Sequence, residues 1–320
     1  MRVMVAGLGG ELGTRVAQLL EAREEVTEIT GFDFVPPRRL LKRSVFRRID
    51  PLDREKVVDF VREVAPTHIV HFGVYEPASR MDPVLAARRT DACTMALLGA
   101  AARVGTVRGL VVRSGVVVYG RGGGRPFMPD EDAPIDPTSP YGITCMKVEA
   151  AAQGFGLRHE VPVAAIRMGP VAGSHVPSPL GRVLRLPAVP VPVLADPPFS
   201  LCSQEDSSRA MVEALIRGAQ GAFNVMGPGA VSPWQIARFG GRVPVPVTGP
   251  GWAWAARACE LVGAPMPEHV AEVLRLGRVA DSSRARSELD LVGMRPTQLI
   301  CEEIFEWAEV VPLRTHIEVA

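Results

Sequence analysis

Tyr141 opens a helical stretch, Ser139-Pro140-Tyr141-Gly142-Ile143-Thr144-Cys145-Met146-Lys147. A free phenol has a pKa of about 10, so only about one molecule in a thousand is ionised at neutral pH; a nearby cation must stabilise the anion before it can move protons. A lysine four residues on, about one helical turn away, would serve, but that position holds Cys145. Lys147 is no substitute, because six helical residues rotate a side chain by about 240°, nearly onto the opposite face. Cys145 itself reads either as a nucleophile near a helix start or as a buried, inert thiol.

A second set of residues has the chemistry of binding. Gly7, Gly10 and Gly13 are spaced G-x-x-G-x-x-G, with Gly9 in addition, between the apolar run Arg2 to Ala6 and the helical repeat Leu12, Val16, Leu19, Leu20. Glycine lets backbone turn sharply and approach a pyrophosphate, whose charge is favoured by free N–H groups at a helix start. A tight turn with no ligand is the other reading. About 20 residues further on, Asp33 ends the strand Glu28 to Asp33, where dinucleotide folds place the acid that holds an adenosine ribose. Such a carboxylate favours NAD and repels the extra phosphate of NADP. Arg38 and Arg39 leave NADP open, and Asp33 as a turn former before Pro36-Pro37 is the plainer alternative.

The elements needed to hold these groups alternate along the chain. Strand Val45 to Ile49 leads through Asp50-Pro51-Leu52-Asp53, with Asp53 as N-cap, into a helix over 54–64. Strand Thr67 to Gly73, a helix over 83–103 and strand Gly109 to Ser114 follow. This pattern predicts an α/β fold, a Rossmann-like doubly wound parallel sheet whose ligands lie beyond the carboxyl ends of the strands. His71, Ser114 and Tyr141 all fall near such ends. The Pro-rich stretch 177–198 is expected to be a mobile crossing loop, a candidate substrate lid.

Bulk composition excludes several classes. The 320 residues are 47% hydrophobic, enough for a full core, and 36 basic against 35 acidic residues leave a net charge of +1, which gives no cause to expect nucleic acid. No apolar run approaches a membrane span, and Met-Arg-Val-Met-Val-Ala-Gly is too short for a signal peptide, so a cytoplasmic protein is expected. The five cysteines lack any C-x-x-C pair, and His175 and His269 lack spaced partners, so neither a disulfide framework nor a metal site is indicated.

The ordered motifs make the chain resemble an extended short-chain dehydrogenase/reductase of the NAD-dependent epimerase/dehydratase family. The glycine turn, Asp33, Asp50, His71-Phe72-Gly73, Val118-Tyr119-Gly120, Ser139-Pro140-Tyr141-Gly142, Arg167 to Gly173, the Asp206 region and Asp281-Ser282-Ser283-Arg284 carry it. The resemblance implies an NAD-binding domain over 1–170 and a smaller α/β substrate lobe over 171–320, with the chain free to cross back. It places the cofactor against Gly7, Gly9, Gly10, Glu11, Leu12 and Gly13, then Asp33, Asp50 and Pro51, and finally Phe72, Gly73, Val74 and Tyr141. It places substrate near Tyr75, Glu76, Arg167 and Pro170. It also implies a small-molecule substrate such as a nucleotide sugar, and a homodimer through the helices that follow Asp82 and Tyr141.

Against that family's catalytic trio, Tyr141 is kept, but the lysine is Cys145 and the hydroxyl position is Gly115. Ser114 lies one residue away, on the other strand face unless a bulge re-aims it. The family's cofactor-facing asparagine is Asp91, and its pocket asparagine is Pro170. Glu76 is a carboxylate near the nicotinamide mouth, either an acid or base or a solvated loop residue. Trp252 and Trp254 either stack on a substrate ring or pack the small lobe. Two functions follow. The chain is an NAD-dependent enzyme acting on a hydroxyl-bearing substrate, or a catalytically impaired NAD-binding partner or sensor.

Overall fold

The computed structural model describes residues 1–79, 81–173 and 176–305. His175 lies outside them. Its first sheet has seven parallel strands, β1 (Arg2–Ala6), β2 (Glu28–Asp33), β3 (Ser44–Arg48), β4 (His68–His71), β5 (Gly109–Gly115), β6 (Val163–Met168) and one later strand, Gly221–Val225, which becomes β10 in chain order. Their spatial order is β10-β6-β5-β4-β1-β2-β3. The order reverses between β4 and β1, and such a switch point opens a crevice at the strand ends.

Helices α1 (Glu11–Glu21), α2 (Arg54–Val64), α3 (Pro83–Val104) and α4 (Pro140–His159) cover the sheet. Alternation along β1 shows how two faces are built: Met4 and Ala6 enter one apolar cluster with Val57, Phe60, Leu97 and Val148, while Val3 and Val5 enter another with Val16, Leu20 and Ile166. Asp53 caps α2, its side chain accepting from the Lys56 N–H at 3.2 Å. Ser139 caps α4 and Pro140 occupies its first turn, which puts Tyr141 at the mouth of the sheet.

After β7 (Val171–Ala172), the chain forms α5 (Pro179–Leu184), β8 (Ala188–Pro192), β9 (Cys202–Ser203) and α6 (Gln204–Ile216) before β10; α6 packs beside α1 on the first sheet. Then come α7 (Pro233–Phe239), β11 (Val243–Val247), α8 (Gly251–Leu261), α9 (Glu268–Leu276), α10 (Ser283–Glu288) and α11 (Thr297–Phe305). The expected mobile loop over 177–198 is therefore corrected: it holds α5 and β8, whose Leu180, Val183, Leu184, Val189 and Val191 form the core of the small lobe.

Proline there does not prevent pairing. β8 and β11 run parallel, Val189 opposite Pro244 and Val191 opposite Pro246, and Val243 N donates to Pro187 O at 2.9 Å. That bond sets the valines facing the ladder, so Pro190, Pro192, Pro244 and Pro246 fall where a strand nitrogen faces away from it. Trp252 is buried in this lobe, while Trp254 is exposed.

Candidate functional site

Two clefts open at the strand ends and share a wall. The first, about 760 Å³ when space open to solvent is counted, is lined by Gly7, Gly10, Glu11, Leu12 and Gly13 of the β1–α1 turn, by Asp33, Phe34 and Val35, and by Phe72, Val74, Tyr75 and Glu76. Bare backbone forms its floor at the helix start: a Cβ built on Gly10 would meet only Gly7 O, at 3.5 Å. Backbone N–H groups at the start of α1 and this open space fit a pyrophosphate. Asp33 is buried at the end of β2, where its Oδ1 accepts from the Phe34 N–H at 2.7 Å. These residues fit a dinucleotide with its ribose at Asp33.

Other residues expected at the cofactor stand behind this wall. Gly9 packs so closely that an added Cβ would come within 1.7 Å of Val35 O, and one on Gly73 within 2.4 Å of Cys93 Sγ. Asp50, beside Pro51, pairs with Arg89 at 2.7 Å, and Arg89 lies over the Phe34 ring that lines the cleft. Arg39 approaches Glu11 at 3.7 Å, whereas Arg38 is exposed. Asp91 is exposed, so it does not take the cofactor-facing place that the family resemblance implied. Thr90 and Thr94 face inward from α3 instead, Thr90 Oγ1 accepting from the Tyr75 N–H at 2.9 Å and Thr94 Oγ1 bonding His71 Nε2 at 2.8 Å.

The second cleft, about 510 Å³ when space open to solvent is counted, joins the first through Glu76, Arg113 and Val171. Tyr141, Gly115, Pro170 and His269 line it, with Val116, Val117, Leu180, Val270 and Val273 supplying apolar wall. Strand alternation assigns the residues of β5. The β5–β6 ladder runs without a bulge from Leu110 to Gly115; Ser114 reaches the wall of the second cleft, but its hydroxyl bonds Glu149 of α4. Arg113, one residue earlier, turns to the clefts.

Arg113 is the cation that the sequence lacked beside Tyr141. Its Nη1 donates to Val74 O at 3.0 Å and its Nη2 lies 4.0 Å from Glu76 Oε2. Burial works to lower the guanidinium pKa, but Tyr141, Glu76 and Cys145 outweigh it and the value is raised. Burial also pushes the Tyr141 phenol well above its ordinary value; Arg113 opposes this, while Cys145 and Glu76 add to it. Burial pushes the Cys145 thiol up to about 12, although Arg113 and a hydrogen bond with Tyr141 pull it down. A thiol so held is a poor nucleophile.

Arg167 does not line either cleft. It is buried against Glu149 at 2.8 Å and donates to Tyr119 Oη at 2.7 Å; Tyr119 in turn donates to Asn224 at 2.8 Å. This network ties β5, β6, β10 and α4 together beneath the site. Pro170 lines the second cleft, and its carbonyl accepts from Cys202 N at 3.0 Å.

His269 and Arg278 were not expected. The His269 ring packs against Tyr141, tilted by 47° with centroids 4.9 Å apart, and its Nε2 lies 3.2 Å from Glu76 Oε1. Arg278, fully buried at the cleft, pairs with Glu272 at 2.8 Å. Only Arg113 left a trace in the sequence, as a lone charge inside the apolar run Gly109 to Ser114. Among the described residues no cluster fit for a metal ion occurs, and no helix is long and apolar enough to cross a membrane.

Comparison with known proteins bears on the family and the fold. The family model described as NAD dependent epimerase/dehydratase family matches residues 3–212. An uncharacterized protein of Mycobacterium tuberculosis is 28% identical over 330 residues, covering 97% of this chain and 85% of its own. The crystal structure of Thermus thermophilus UDP-glucose 4-epimerase complexed with NAD is similar at a TM-score of 0.72 and 24% identity, over 97% of this chain and 100% of that one. UDP-glucuronic acid 4-epimerase of Bacillus cereus, in complex with UDP-glucuronic acid and NAD, gives a TM-score of 0.72 at 18% identity, over 96% and 99% of the two chains.

Proposed function

Because the chain belongs to the NAD-dependent epimerase/dehydratase family, we propose that it is an NAD-dependent oxidoreductase acting on a nucleotide sugar or a similar hydroxyl-bearing small molecule. The observation that carries this reading is the shared wall: Glu76 and Arg113 line both the dinucleotide cleft and the pocket of Tyr141. Bound NAD would supply the hydride acceptor, C4 of its nicotinamide. The chain would hold its pyrophosphate at Gly10 and the start of α1, hold its ribose at Asp33, and screen the reacting carbon from water with Val116, Val117, Val270 and Val273. The solved NAD complexes of the two epimerases support the choice of cofactor. We read the protein as cytoplasmic and as a homodimer through the exposed faces of α3 and α4, where Val84, Met95, Ile143 and Leu157 are exposed.

Gly115 and Cys145, with no hydroxyl and no ammonium, favour a second reading: a protein that binds NAD and signals its occupancy without turnover. One experiment separates the two. The nucleotide that copurifies is identified by mass, NAD(H) and NADP(H) are titrated, and nicotinamide absorbance is followed with candidate nucleotide sugars. NAD(H) should bind more tightly by about 1–3 kcal/mol through Asp33, or about 5- to 150-fold. Tighter NADP(H) would assign the adenosine end to Arg38 or Arg39, and binding without turnover on any candidate would favour the second reading.

A further inference from the structure

The pocket around Tyr141 holds a second group built for proton transfer. The neutral phenol is a poor base, because burial holds its pKa well above the ordinary range. The imidazole packed against it is placed differently. A carboxylate only accepts hydrogen bonds, so the 3.2 Å contact of His269 Nε2 with Glu76 Oε1 requires the proton on Nε2. In the neutral ring that leaves a lone pair on Nδ1, which makes no hydrogen bond among the described residues, and the ring lines the second cleft. Glu76 is anchored in turn by Arg113, 4.0 Å from its other oxygen, at the wall both clefts share. Carboxylate, imidazole and free ring nitrogen form the arrangement in which an acid orients a histidine base and stabilises the imidazolium it becomes.

We propose that His269, oriented by Glu76, carries the proton of the reacting hydroxyl, with Tyr141 as the wall its ring rests on. This rests on the hydride-transfer reading above. In the oxidative direction the substrate's O–H bond breaks and its proton passes to His269 Nδ1. The neighbouring C–H bond gives its electron pair and hydrogen to the oxidised nicotinamide dinucleotide, and a C=O bond forms. In reduction the imidazolium returns the proton. His269 thereby brings the small lobe into the chemistry, through the first turn of α9.

Three measurements on the full chain test the proposal. His269→Ala should lower kcat by about 100-fold or more, the range for a lost general base, with an unchanged Kd for NAD, and free imidazole should restore a measurable part of the loss. Tyr141→Phe should cost less than His269→Ala. Nitrogen-15 spectra of the histidine ring, taken without nucleotide or substrate, should show the neutral ring protonated at Nε2, and Glu76→Gln should weaken that preference. Turnover of His269→Ala within threefold of the natural protein, a larger loss in Tyr141→Phe, or a ring protonated at Nδ1 would each overturn the proposal. A natural protein that turns over nothing would count against hydride transfer itself, and the ring spectrum would still decide whether Nδ1 is a free base.

Discussion

Substituting Gly10 separates the demands of the fold from those of the ligand. Its backbone is ordinary, with φ −70° and ψ 159°, and an added Cβ meets nothing nearer than Gly7 O at 3.5 Å. Gly10→Ala forgoes about 1 kcal/mol at a helix N-cap but recovers about 0.4–1 kcal/mol by restricting the unfolded chain, so stability should change by under about 1 kcal/mol. The new methyl group would instead stand where a pyrophosphate must lie against the start of α1. Crowding of that kind costs about 1–3 kcal/mol, which corresponds to about 5- to 150-fold in Kd for NAD, and the branched side chain of Gly10→Val should cost more. Gly9→Ala is the contrast: its Cβ would sit 1.7 Å from Val35 O, so the backbone itself must move and the melting temperature should drop. Calorimetric titration with NAD beside thermal denaturation reads both effects. A folded Gly10→Val protein with unchanged Kd would refute the pyrophosphate cradle.

Two further outcomes follow from buried groups. Burial lowers the His71 pKa to about 4, against an unfolded value of about 6.5, so the stability tied to its neutral ring is complete above about pH 6.5 and drains away as pH falls towards 4. The loss approaches about 3 kcal/mol; urea unfolding should show natural protein losing more than His71→Gln across that window, and equal losses would contradict it. The family pattern alone argues that Cys145→Lys with Gly115→Ser would raise hydride transfer. Arg113 reverses that expectation, because a second buried cation beside it should lower stability by about 3 kcal/mol or more without a gain in turnover. A stable, faster variant would show that the pocket accepts a second cation beside Arg113 and that proton transfer runs through Tyr141.

The dinucleotide half was legible because its signals are local. Buried parallel strands read as short apolar runs, glycine spacing marks the first turn, and Asp33 ends the second strand, so β1, α1, β2 and the cleft they frame were readable in order. Asp53 capped the helix it was expected to cap. The cleft around Tyr141 was harder to read because the residues that meet there are remote in sequence. His269 reaches Glu76 across 193 positions, which no motif spacing records. Arg167 resembled a pocket residue by position, yet Glu149, two helical turns after Tyr141 on α4, draws it into the core. The stretch 177–198 looked like a loop because its prolines suggest one, whereas the valines between them were the real signal.

Those valines and prolines also set where the small lobe stops growing. Along the outer edge of β11, Pro244 and Pro246 occupy the positions where a third strand would look for amide hydrogens. What remains there are carbonyl oxygens, able to accept but with nothing to give. An extended segment from another molecule arriving at this edge finds half a ladder, so the pair stays a pair. The same substitutions that cost the inner ladder nothing guard a solvent-facing margin against accretion.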